Sequence, residues 1–334
     1  MTGDGAGGPF QSALWVVRDR ITSKAAIDDL LADSVGWNVR DLVVQVRGRG
    51  DAYYASTLEP RAEALDGSAR GSAEMDFDPL AHLARGAAAV GVRIHAWANG
   101  TFVWSSPSGG LPRSPAHLVK AHPEWLLRPD GVTYLDPVGG SDWEGIYIDP
   151  TSAAARAHTV GVFEDIVRRY PVEGFHHDYI RYPQVTYARS PEDHGAITTI
   201  VRETAARVRA ARPGIVISAA VFPDPAVARE RVLQRWPEWA AEELIDLVCP
   251  MAYRTDTAEV GRLLRAARAA APATRMWGGL MAYAHERERM RDQVRAARDA
   301  GCDGAIVFAY DPQMRDVIDA FAAECGRAGS RSDR

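Results

Sequence analysis

The segment RMWGGLMA (Arg275 to Ala282) is followed by an Ala/Arg/Glu-rich stretch over 285–300 that stops at Gly301. GAIVFAY (Gly304 to Tyr310) comes next. The two apolar runs are short, bounded by turn residues and continuous rather than alternating, which is the pattern of strands covered on both faces. The stretch between them has helical period and a glycine stop. A strand, a helix and a strand in this order predict a parallel βαβ unit.

Toward the N-terminus the same unit recurs. The other runs are ALWVV (Ala13 to Val17), DLVVQV (Asp41 to Val46), VRIHAWA (Val92 to Ala98), GFHHDYI (Gly174 to Ile180), IVISAAVF (Ile215 to Phe222) and LIDLVCPMAY (Leu244 to Tyr253). Helices are predicted near 23–36, 79–90, 151–169, 191–212, 226–241, 257–270, 285–300 and 312–325, one after every strand. Gly36, Gly91, Gly301 and Pro213-Gly214 supply stop signals. Eight β-α units predict an α/β fold, a closed (β/α)8 TIM barrel with long insertions after strands two and three, because closure leaves no unpaired sheet edge. A doubly wound open sheet is the alternative, but no Gly-x-Gly-x-x-Gly follows a strand. The organisation expected is a flexible N-terminus (1–12), a single catalytic barrel (13–326) and a disordered tail (327–334).

The 334 residues are 46% hydrophobic and 25% charged, with 44 acidic against 39 basic side chains and a net charge of −5. That balance creates no basic field for phosphate backbones, so neither nucleic acid nor a membrane surface is expected as a partner. Cys249, Cys302 and Cys325 are widely spaced and odd in number, which fits reduced thiols rather than a disulfide framework or a metal clamp. No cofactor is expected. The N-terminal MTGDGAGGPFQSA has no charged and apolar leader, so the chain as given is expected in the cytoplasm, or exported if a longer precursor exists.

In such barrels chemistry sits on the loops that follow the strands. Two of these are long, residues 47–78 and 99–150. The second carries Trp104, Trp125, Tyr134, Trp143 and Tyr147, flat faces that suit stacked sugar rings or, alternatively, the small core of an insertion. The strand period of two puts His176 and Asp178 on one face, with His177 and Tyr179 on the other, and groups His95, Trp97 and Asn99. If those faces line the mouth, a carboxylate, imidazoles and an amide converge. The structural alternatives are an ion pair of Asp178 with Arg181 or Arg47, and a satisfied core histidine at His95.

The stretch from Gln45 to Ser56 (QVRGRGDAYYAS) resembles the "QVR…gDAfY.S" signature of the glycosyl-hydrolase-like family ten. Asp78-Pro79-Leu80, Ile94-His95-Ala96-Trp97-Ala98-Asn99, His122-Pro123-Glu124-Trp125 and Gly174–Tyr179 with Tyr182-Pro183 match further motifs of that family in order. The resemblance runs over about residues 13–312. It departs from the pattern at Glu173 and Tyr179, where the family has Asp, and at Pro250-Met251-Ala252-Tyr253, where it has Pro-Gln-x-Tyr. The resemblance implies a TIM-barrel carbohydrate hydrolase, with aminosugar polymers such as peptidoglycan glycan strands among the substrates.

Glycosidic cleavage needs a protonated acid at the leaving oxygen and usually a second carboxylate. Asp178 is the expected acid. Asp51 and Asp224 are the candidate partners, followed by Asp256 and Asp311, although Asp224 and Asp311 also read as helix caps. No acid stands on strand seven, so a substrate acetamido group is an alternative nucleophile, with Tyr253 placed to orient it. The expected substrate-binding set is His95, Trp97, Asn99, His176, Tyr253, Arg47, Trp125, Tyr179 and Asp311. Arg47 and Arg49 are read as a carboxylate-binding fork or as loop braces. Two other classes compete: a non-catalytic sugar-binding barrel, and a metal-dependent hydrolase using His95, His176, His177, Asp178 and Asp311. The second lacks the His-x-His expected on strand one.

Overall fold

The computed structural model describes residues 9–65, 77–106, 109–128, 144–184, 193–284 and 286–327. Its strands are β1 (Gln11–Val16), β2 (Asp41–Arg47), β3 (Arg93–Asn99), β4 (Phe102–Trp104), β5 (Ile146–Tyr147), β6 (Gly174–Asp178), β7 (Val216–Val221), β8 (Leu247–Pro250), β9 (Arg275–Met281) and β10 (Gly304–Phe308). Eight of them close into a parallel barrel in the order β1-β10-β9-β8-β7-β6-β3-β2, while β4 and β5 form a separate antiparallel pair. All eight expected runs became barrel strands.

The main helices between strands are α1 (Lys24–Gly36), α2 (Pro79–Val90), α3 (Leu118–Ala121), α4 (Ala153–Arg169), α5 (Asp193–Ala211), α6 (Pro225–Val232), α7 (Trp236–Ala241), α8 (Thr257–Ala270), α9 (Arg287–Asp299) and α10 (Arg315–Cys325). Gly91, Gly214 and Gly301 adopt the left-handed conformation that glycine supplies at helix ends. After α1 that role falls to Asn38, at φ 55°, rather than to Gly36. The helix expected over 226–241 is broken into α6 and α7. Leu233 takes a left-handed turn (φ 54°), and Pro237, which has no N–H to donate, sits in the first turn of the restarted helix.

Two apolar layers result. Between strands and helices lies the large outer core, with Phe163, Phe175, Trp236, Trp239 and Phe321 among its buried members. Inside the barrel a smaller cluster contains Ala13, Trp15, Val43, Trp97, Ala220, Leu247, Cys249, Trp277 and Ile306. The three cysteines are buried and unpaired. In the insertion between β3 and α4, Val103, Trp104, Leu118, Val119, Leu126, Ile146 and Ile148 form a third cluster against which Trp125 packs. Trp104 and Trp125 thus serve the insertion's own core; Tyr134 and Trp143 lie outside the described residues. No helix among the described residues is long and apolar enough to cross a membrane.

Candidate active site

Strand register sets the depth of every inward side chain. His95 pairs in register with Val43 and Gly174, Trp97 with Gln45 and His176, and Asn99 with Asp178. At about 3.3 Å per residue, His95 stands about 13 Å below Asn99. It lies at the base of the barrel, where Nε2 faces Asp41 Oδ1 at 3.1 Å and Arg93 forks onto the same carboxylate. Its ring rests on Gly174, where a Cβ would stand 1.9 Å from Nδ1. The expectation that His95 reaches the substrate is corrected: the period of two gives its face correctly but says nothing of its level.

His176 occupies the next layer and is fully buried. Trp15 Nε1 donates to its Nε2 at 3.1 Å, and its Nδ1 meets Ser218 Oγ at 2.8 Å. Burial, with His95 and His177 nearby, pushes its pKa well below the usual imidazole range. It supports the floor of the mouth rather than contacting substrate. His177 points outward between the edges of Phe163 and Phe175, and burial pushes it down to about 3.

The mouth itself is built around Asp178, the last residue of β6. Tyr179 follows in the left-handed region at φ 45°, and this sharp turn brings its N–H back to Asp178 Oδ1 at 2.7 Å. Burial raises the carboxyl to about 6, against the opposing pull of the Tyr179 N–H, the Arg181 charge and the Trp97 indole N–H. Asn99 adjoins it: Oδ1 accepts from Trp97 Nε1 at 3.0 Å and from Gln45 Nε2 at 3.3 Å, and Nδ2 donates to the Gly48 carbonyl at 2.7 Å.

Aromatic rings surround this polar row. Phe308 contacts Trp15, Trp97 and Tyr253 at centroid distances of 6.3, 6.4 and 5.7 Å, and the exposed Tyr283 stands edge-on to it. Tyr179 lies over Phe102 at 4.8 Å. The pKa of Tyr253 is raised well above the usual phenol range by burial first and by the Asp178 carboxylate second.

The remaining candidates divide sharply. Asp224 caps α6, accepting from Ala226 N and Val227 N at 3.0 and 3.2 Å. Asp256 caps α8, and Asp311 accepts from Gln313 N while pairing with Arg20 at 2.8 Å. Asp51 is buried in the β2 loop and takes the Arg49 N–H at 2.9 Å. The Asp224, Asp256 and Asp311 carboxylates are engaged in cap structure, whereas Asp51 Oδ2 is buried without a hydrogen-bond partner among the described residues, 3.5 Å from Arg49 Nη2. Arg47 is sealed beneath the mouth, with a bidentate grip on the equally buried Glu59, so it braces the loop and offers no free fork. Arg49 stacks on Trp104 at 4.5 Å, and Trp125 is stacked on His122 at 3.7 Å and packs against the insertion's own cluster. Glu173 sits at the base, holding the Ile94 N–H.

Two mouth residues escaped the sequence reading. Glu144, just before β5, receives the Arg181 fork through two 2.9 Å bonds and the Tyr147 hydroxyl. Burial raises its pKa, but these partners outweigh burial and hold the carboxyl below its ordinary value; its charge also acts on Asp178. Arg18, directly after β1, donates to Gln45 Oε1 at 2.7 Å. Its position at a strand's carboxyl end was the available signal. Among the described residues, no group of three or more His, Cys, Asp or Glu side chains is arranged to hold a metal ion.

The closed parallel barrel, with a desolvated carboxyl at the end of one strand inside an aromatic funnel, defines the class: a (β/α)8 barrel with an acid-bearing mouth. The family model described as glycosyl hydrolase-like 10 matches residues 10–196, more than half of the chain, and the protein belongs to that family. A curated relative, glycosyl hydrolase YngK of Bacillus subtilis (strain 168), is 27% identical over 154 residues, which cover 46% of this chain and only 27% of YngK. The chain therefore matches about a quarter of that relative's length. Among solved structures, the endo-1,4-beta-mannanase from Rhizomucor miehei superposes with a TM-score of 0.64 at 11% identity, covering 97% of this chain and 96% of the mannanase. Alpha-L-fucosidase isoenzyme 2 from Paenibacillus thiaminolyticus gives 0.63 at 15% identity, covering 95% of this chain and 49% of the fucosidase. At such identities these likenesses show the fold.

Proposed function

We propose that the protein is a glycoside hydrolase that cuts an aminosugar-containing oligo- or polysaccharide at this mouth, with Asp178 as general acid. The observation that carries the reading is a carboxyl held at about 6 at the end of a barrel strand and walled by aromatic rings. Such a group holds its proton in mildly acidic solution, well above the range of an ordinary carboxyl, and can deliver it to a leaving oxygen. The glycosidase names among the fold's neighbours and the family's description support the same reaction class.

Glu144 is shifted the opposite way and stays ionised, but its oxygens are committed to Arg181 and Tyr147. It braces Arg181 and Tyr147 and is not left free to attack carbon. The nucleophile is then the substrate's own acetamido oxygen. That oxygen bonds to C1 as the C1–O bond to the leaving sugar breaks and the Asp178 proton passes to the departing oxygen. Water next attacks C1, the C1–O bond to the acetamido oxygen breaks to restore the acetamide, and one proton of the water passes to Asp178. The Tyr253 hydroxyl, on the ring that packs against Phe308, holds the acetamide in place.

The test is hydrolysis of N-acetylglucosamine-containing chains beside their de-N-acetylated counterparts, with products read by mass spectrometry and anomeric configuration by NMR. Cleavage of the acetylated chains alone, with retained configuration, is expected. Equal cleavage of both, or inversion, would overturn the substrate-assisted scheme.

A further inference from the structure

Four guanidiniums near the barrel mouth are neutralised by carboxylates: Arg20 by Asp311 at 2.8 Å, Arg47 by Glu59 at 2.6 Å, Arg49 by Asp51 at 3.5 Å and Arg181 by Glu144 at 2.9 Å. Arg18 differs. Its partners are neutral, Gln45 Oε1 at 2.7 Å and the Tyr53 hydroxyl, and no carboxylate of the described residues stands within ion-pair distance. It is half-buried, so its charge is partly withdrawn from water without a compensating anion.

The seat of Arg18 is built. Its side chain lies along Gly48, where a Cβ would stand 2.6 Å from Arg18 Cδ and 2.8 Å from Nη1. The Gly48 carbonyl is fixed by Asn99 Nδ2 at 2.7 Å, and Gln45 bridges Arg18 to Asn99. Asn99 is in turn beside Asp178 in the register. Arg18 is therefore held two hydrogen bonds from the amide that adjoins the acid, beyond the end of β1, while the Arg181–Glu144 pair stands beyond β6.

We propose that Arg18 recognises a carboxylate borne by the glycan, which makes the substrate an acidic saccharide. This deepens the functional reading above and rests on it. Gln45 and Tyr53 take only part of the five-donor guanidinium and none of its charge, which suits it to one planar, singly charged carboxylate. Sugars that carry that group next to a glycosidic bond include an aminosugar with a lactyl ether and a uronic acid.

The test uses three chains: peptide-free alternating N-acetylglucosamine and its 3-O-lactyl derivative, the same chain with its carboxyls reduced to alcohols, and alternating N-acetylglucosamine and glucuronic acid. KM and kcat are measured for wild type, Arg18→Gln, Arg18→Lys and Gly48→Ala, and Kd by calorimetry for each chain. Wild type should favour one carboxylate chain over the reduced chain by about 10–100-fold, read in KM and Kd. Which acidic chain is favoured distinguishes the lactyl ether from the uronic acid. Arg18→Gln should collapse the ratio to about 1, Arg18→Lys should restore part of it, and Gly48→Ala, which pushes the guanidinium aside, should lower it. A wild type that ignores the carboxylate, or an Arg18→Gln variant that keeps the preference at an unchanged melting temperature, would overturn the proposal. If no chain is cut but the Kd ratio behaves as stated, the hydrolase reading fails and the carboxylate site stands.

Discussion

Trp15 on β1 donates its indole hydrogen to His176 Nε2 on β6 across the barrel interior, at 3.1 Å. His176 is thereby fixed as an acceptor at Nε2, so its proton resides on Nδ1 and is offered to Ser218 Oγ at 2.8 Å. Protonating the ring would set two N–H groups against each other in a dry layer. The imidazole on the same face as the Asp178 carboxyl is thus a structural base plate, and the indole it anchors forms part of the aromatic floor.

Acid sensitivity follows from the buried imidazoles. His176 and His177 have folded pKa values below the ordinary 6.5, so the unfolded chain binds more protons as pH falls beneath that value. Their stabilising contribution is present above about 6.5 and is lost on acidification, with a slope of up to ~1.4 kcal/mol per pH unit for each group. Neither His177 nitrogen has a protein hydrogen-bond partner among the described residues. His177→Leu should therefore raise stability, by ~1–2 kcal/mol at pH 7 and by more at pH 5. Urea unfolding of both proteins at the two pH values checks this; a variant less stable than wild type at pH 5 would count against it.

Asp178 has the opposite sign. Its folded pKa of about 6 exceeds the unfolded carboxylate value, so the group favours the folded state below about 4, and that contribution is lost as pH rises through about 6. Asp178→Asn should melt higher than wild type at pH 8, by up to ~2 kcal/mol of stability, with the gap closing below pH 4. Thermal unfolding across that range shows whether the carboxyl is desolvated as described. Equal melting temperatures at pH 8 would mean that it is not.

The Arg47–Glu59 pair, with side chains 0% and 1% exposed, should be sensitive to single substitutions. Removing either partner leaves a charge stranded beneath the mouth and should cost ~3–5 kcal/mol, whereas Arg47→Met with Glu59→Leu should recover most of that. Chemical denaturation of the two singles and the double provides the cycle. A single Arg47→Met variant of normal stability and weakened glycan binding would return Arg47 to the substrate-binding role first expected of it.

The barrel was legible because its strands are covered on both sides: continuous apolar runs such as IVISAAVF and GAIVFAY leave little doubt about their burial. Asp178 was legible for a related reason, as the only acid among the run's final inward positions. Depth was not legible. The two-residue period that grouped His95, Trp97 and Asn99 is silent about which end of a strand faces solvent, and barrel stagger determines which layer each residue joins. Arg47 misled because a residue at a strand's end can point outward into the helix layer, where Glu59 waits in the following loop. Glu144 was hidden by its setting in a long insertion, where no period links it to Arg181, 37 residues later.

The account's central claim is that Asp178 donates the proton, and the most direct measurement is the hydrolysis rate of Asp178→Asn beside its affinity for the same glycan. The prediction is a fall in kcat of ~10²–10⁴-fold with Kd nearly unchanged, and a wild-type rate that declines as pH rises above about 6. An Asp178→Asn variant that cuts glycan at the wild-type rate, with the same pH profile, would contradict it.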